Sequence, residues 1–154
     1  AVPAQREAFQ RSSRANAELI LKEGMAKFAA TYGHNATRLQ LRDKDPRGFA
    51  LYIKYLSEHS PKGSANTMLG YQARRPSLYD LKKEMAGITA PTLVMCGDED
   101  DATLEPGLLM KRSIPNMGLV VLPRTGHGMN LEDPALFNRI VEDFFHQVEA
   151  GRWT

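Results

Sequence analysis

The chain has 154 residues, 42% of them hydrophobic and 25% charged, which suffices for a domain-sized core and is ordinary for a globular protein. Lys and Arg number 20 against 18 Asp and Glu, and no basic stripe gathers them; Arg74-Arg75 reads as solvated surface, so no nucleic-acid partner is expected. One cysteine, Cys96, excludes an internal disulfide, no apolar run approaches the ~20 residues of a membrane span, and no charged-then-apolar leader is visible; a cytoplasmic protein without membrane contact is expected.

Residues 1–85 read as short amphipathic helices without strands, a cap-like region. From Pro3 to Tyr32 apolar residues recur at helical spacing (Ala15, Leu19, Met25, Phe28, Tyr32), with Gly24 as a kink and Gly33 as a stop. Asp45-Pro46 is a capping residue followed by proline at the first helical position; the helix it opens would bury Phe49, Tyr52, Ile53 and Leu56. Ser60-Pro61 repeats the signal. Ser77 with Asp80 predicts a capping box ahead of a helix through Met85.

Residues 86–154 change character. Thr92 to Cys96, led by Pro91 and closed by Gly97, lacks alternation and predicts a strand buried on both faces. A helical stretch around Leu108–Arg112 follows, then a second buried strand over Leu119–Leu122. After the loop Thr125-Gly126-His127-Gly128, Asp133-Pro134 starts a helix with Phe137, Ile140, Val141, Phe144, Phe145 and Val148 on one face and Gly151 at its end. The order β-α-β-α predicts two parallel strands. Two strands are not a complete sheet.

In open α/β sheets functional groups sit beyond the carboxyl ends of strands. Those places hold Asp98-Glu99-Asp100-Asp101 and His127. A carboxylate beside an imidazole can accept from Nδ1–H, fix the tautomer and leave Nε2 to act as general base. Among the acids, Asp98 is a candidate turn cap and Asp101 a candidate helix cap. His34, His59 and His146 lack partners at ligand spacing, and Cys96 reads as a small core residue.

The segments PTLVMCGDEDD, IPNMGLVVLPRTGHG and EDPALFNRIVEDFF resemble the C-terminal part of the α/β-hydrolase superfamily. The resemblance implies a helical cap before the last strands, Asp100 as triad acid three positions after Gly97 and His127 as triad base; it does not fix the substrate, for which the apolar character of the cap region suggests a small, hydrophobic molecule. It implies no cofactor and no metal. The family's nucleophile elbow, Gly-x-Ser-x-Gly, is absent. Gly63-Ser64-Ala65-Asn66-Thr67 lacks the second glycine, and Ser12, Ser13, Ser57, Ser60, Ser77 and Ser113 fit no better. With Ala1 where an initiator methionine is usual, the expectation is a fragment whose N-terminal half is missing and which is inert alone.

Three other readings compete. The acidic cluster Asp98, Asp100 and Asp101 could hold magnesium or calcium, but it lacks the glycine and distal glutamate of a calcium hand. A haloacid-dehalogenase phosphotransferase would want Asp-x-Asp-x-Thr, and Thr103 comes one residue late. A hydrolase-derived binding or assembly module would pair its open sheet edge with another copy, as a homo-oligomer.

Overall fold

Three helices start where a capping side chain meets proline. Asp45 Oδ1 accepts from Gly48 N–H at 2.9 Å, Ser60 Oγ from Gly63 N–H at 3.2 Å and Asp133 Oδ1 from Leu136 N–H at 3.1 Å. Each bond satisfies an amide that the first helical turn leaves orphaned. The computed structural model describes residues 2–153, which fall into two compact units, one ending at Ser77 and the other beginning at Leu78.

The first unit is helical: α1 (Arg6–Tyr32), α2 (Leu39–Lys44), α3 (Pro46–Ser57) and α4 (Pro61–Thr67), the last running into one π-helical turn, Met68–Gln72. Gly24 breaks α1 with φ 81° and ψ 174°, a conformation that glycine adopts without the steric cost a Cβ would bring. Both α3 and α4 pack against α1. Ala17, Ile20, Met25, Phe28 and Ala65 form the core, and Phe28 stacks on Tyr32 with ring centroids 4.8 Å apart.

The second unit opens differently from expectation. In place of one capped helix through Met85, there is a 3-10 turn, Leu78–Asp80, followed by α5 (Lys82–Ala86) with Leu81 at its N-cap. Then come β1 (Thr92–Gly97), α6 (Asp101–Ser113), β2 (Met117–Leu122), α7 (Met129–Glu132) and α8 (Pro134–Glu149). β1 and β2 pair in parallel, Thr92 opposite Met117 and Gly97 opposite Leu122. α6 packs on both strands, and Met85, Ile114 and Met117 form a small core beneath it.

Two expectations on burial fail. The strands are only half-buried over most of their length, and Val121 is exposed, because a two-stranded sheet has few neighbours to cover it. α8 has no fully buried residue, and Phe145 stands 55% exposed. It lies about 100° further round the helix than Phe144, at the margin of the apolar stripe. Trp153 does dock: its ring meets Phe144 edge-on at 4.7 Å and its Nε1–H donates to Asn116 O at 3.4 Å. No helix among the described residues is long and apolar enough to cross a membrane.

Candidate active site

The carboxyl ends of β1 and β2 lead into two loops that are laced together. Asp98 N–H donates to Leu122 O and Glu99 N–H to Thr125 O, both at 3.0 Å, while Asp98 Oδ1 accepts from Thr125 N–H at 3.1 Å. Gly97 makes this approach possible. A Cβ there would lie 2.1 Å from Thr125 O and 2.3 Å from Gly126 O, so any side chain would push the loops apart. Before Thr125 the chain turns through Arg124 with φ 52°, an uncommon left-handed conformation for a residue with a Cβ. Thr125 is fully buried, with its hydroxyl donating to Pro123 O at 2.9 Å.

Across this joint His127 Nδ1 lies 2.5 Å from Asp100 Oδ2. The carboxylate is buried, its residue 3% exposed, whereas the imidazole side chain is 55% exposed. An ionised carboxylate can only accept, so this geometry suits the tautomer in which Nδ1 carries the hydrogen. Nε2 is then left for another group. Asp100 also sits at the N-cap of α6, but its side chain makes no cap bond there; its carbonyl accepts from Thr103 N–H at 2.8 Å and from the Thr103 hydroxyl at 2.9 Å.

The neighbouring acids part company with Asp100. Asp98 ties down Thr125, and Asp101 is an exposed first residue of α6. Among the described residues no three His, Cys, Asp or Glu side chains gather as a metal site. Cys96 is buried in β1, and burial pushes its thiol pKa up. No serine among the described residues lies at the end of a strand. Ser12 and Ser13 are in α1, Ser57 ends α3, Ser60 caps α4, Ser64 lies within α4, Ser77 precedes the 3-10 turn and Ser113 ends α6.

One participant escaped the sequence reading. Glu132, the last residue of α7, is 6% exposed, and its two carboxylate oxygens accept from the amides on either side of the histidine. Gly126 N–H donates to Oε2 at 2.6 Å and Gly128 N–H to Oε1 at 3.0 Å. A charged residue five positions after His127, inside an otherwise ordinary Asn-Leu-Glu-Asp run, gives no periodic signal. Only the flanking glycines, which keep the amides approachable, hint at it.

The fold that carries these loops has known counterparts. The S. aureus MenH structure superposes with a TM-score of 0.85 over 94% of this chain and 53% of its own, at 19% identity. The chain has the C-terminal portion of an α/β-hydrolase fold. Two curated relatives share that fold. A putative 2-succinyl-6-hydroxy-2,4-cyclohexadiene-1-carboxylate synthase of Bacillus subtilis (strain 168) is 27% identical over 134 residues, 86% of this chain and 47% of the relative. A 2-hydroxy-6-oxo-6-phenylhexa-2,4-dienoate hydrolase of Burkholderia cepacia is 33% identical over 88 residues, 56% and 31% respectively. The chain thus spans about half, or less, of the length of the proteins it matches. No protein-family model matches it.

Proposed function

We propose that this chain supplies the acid and base of a serine-type hydrolase triad. Asp100 orients the ring, His127 Nε2 takes a proton from a nucleophile and returns it to the leaving group, and the bond cleaved is an ester or related carbonyl bond. The observation that carries the proposal is the 2.5 Å contact between a buried carboxylate and a half-exposed imidazole. The nucleophile and oxyanion donors belong to an N-terminal half outside these 154 residues, and the helices upstream of residue 86 serve as its cap. The substrate is small and hydrophobic. The two relatives are named for diene carboxylates, which supports the small size; their carboxylate groups are anionic and lend the hydrophobic part of the reading no support. The lone cysteine fits cytoplasmic residence.

The test has two arms. The pure chain should not turn over a nitrophenyl ester. Joined to a segment carrying a strand and a Gly-x-Ser-x-Gly elbow, it should, and His127→Ala should abolish the turnover. Ester turnover by the pure chain that disappears in His127→Ala would sink the missing-nucleophile proposal. Turnover by the joined protein that survives His127→Ala would sink the role of His127.

A second reading, a binding or assembly module, draws on the exposed Phe145 and Val121 and the unfilled edges of a two-stranded sheet. Under it the chain pairs with a copy of itself.

A further inference from the structure

We infer that Glu132 is a positioning residue: its buried carboxylate grips the backbone on both sides of His127 and so sets the imidazole against Asp100. The inference rests on the triad reading of Asp100 and His127. A four-residue loop is ordinarily free to rotate its side chains away from a partner, and each amide it leaves unsatisfied in a buried place is costly. Here Thr125, Gly126 and Gly128 each direct an N–H to a carboxylate, the first to Asp98 and the other two to Glu132. His127 is the residue between the two glycines held by one rigid, planar group. With the backbone anchored at the peptide before Gly126 and again directly after His127, the span that carries the ring has little freedom left beyond the two side-chain torsions of His127, and Asp100 lies within reach.

Glu132 is also fixed from behind. Its own N–H and that of Leu131 donate to Gly128 O, at 2.9 and 2.8 Å, so carboxylate and loop close on each other through α7. The geometry leaves no room for a neutral substitute. In Glu132→Gln one terminal oxygen can still accept, but the amide NH2 must face a second N–H, donor against donor.

The experiment is proton NMR of the chain in cold water, following the strongly downfield Nδ1–H of His127 alongside the exchange of the Gly126 and Gly128 amides. In the unmodified chain the downfield signal should be present, should vanish in Asp100→Asn, and both amides should exchange slowly. Glu132→Gln should broaden or erase the downfield signal and speed amide exchange about ten- to hundredfold, as expected on losing a charge-assisted bond. A Glu132→Gln chain of lowered Tm that keeps the signal would overturn the positioning role while leaving the triad reading intact. Fast exchange of both glycine amides in the unmodified chain would also overturn it, and this measurement needs no variant to fold. Absence of any downfield signal in the unmodified chain would instead count against the Asp100–His127 pair itself, and the positioning role would fall with it.

Discussion

At Gly97 the space for a side chain is already filled by two carbonyl oxygens of the His127 loop. Gly97→Ala should therefore lower stability by roughly 1–3 kcal/mol, the usual cost of overpacking, and loosen the His127–Asp100 contact; urea melts would measure the first effect. Asp100→Asn tests the acid. It keeps the shape but cannot hold a developing imidazolium, and in a protein completed by a nucleophile it should reduce kcat by about 10^4-fold, the order found in other triads. Cys96 makes a prediction about pH. Burial raises its thiol pKa above the ordinary 9.0, so the folded chain keeps a proton that the unfolded chain sheds. The resulting stability is intact below pH 9.0 and is lost as pH rises through the raised native value. Denaturant midpoints of the unmodified chain should fall more steeply over that window than those of Cys96→Ala. At this scale the family resemblance singled out Asp100, three residues after Gly97, and His127 in a Gly-His-Gly loop, and the structure brings those two side chains into contact. Glu132 and the Asp98–Thr125 tie were not legible in the sequence, because a carboxylate that bonds backbone amides leaves no pattern in residue types.

Elements were readable where their ends are chemically marked. Asp45-Pro46, Ser60-Pro61 and Asp133-Pro134 each became a capped helix, and Asp133→Ala should cost about 1 kcal/mol in thermal or denaturant melts, with the loss localised to the start of α8. Gly24 has open space around it but lies at φ 81° and ψ 174°, a region essentially reserved for glycine, so Gly24→Ala should destabilise by about 1–3 kcal/mol through backbone strain alone. Unmarked ends were missed. α6 begins at Asp101, well before the stretch around Leu108, because its first turns are polar and Pro106 lies inside it. β2 begins at Met117, its first residues disguised by Gly118, against which Trp153 packs. The Ser77 and Asp80 signal failed for a different reason. A 3-10 turn occupies the residues that the capping box needed as the first turn of a helix.

Across the whole molecule, pattern sufficed for a parallel sheet but not for its coverage. Runs without alternation read as strands buried on both faces, a reading that assumes neighbours on every side. With two strands, those neighbours are few, and Val121 and Phe145 remain exposed. Sedimentation at rising concentration checks the assembly reading: self-association is expected if these surfaces pair copies, and a strict monomer at every concentration would discard it.

Everything proposed about chemistry depends on which nitrogen of His127 carries the proton. Long-range proton–nitrogen correlation on the labelled chain, above the pH at which the ring is charged, reads this directly. The account predicts a protonated Nδ1 and a bare Nε2, with the preference lost in Asp100→Asn. A protonated Nε2 with a bare Nδ1 in the unmodified chain would contradict it.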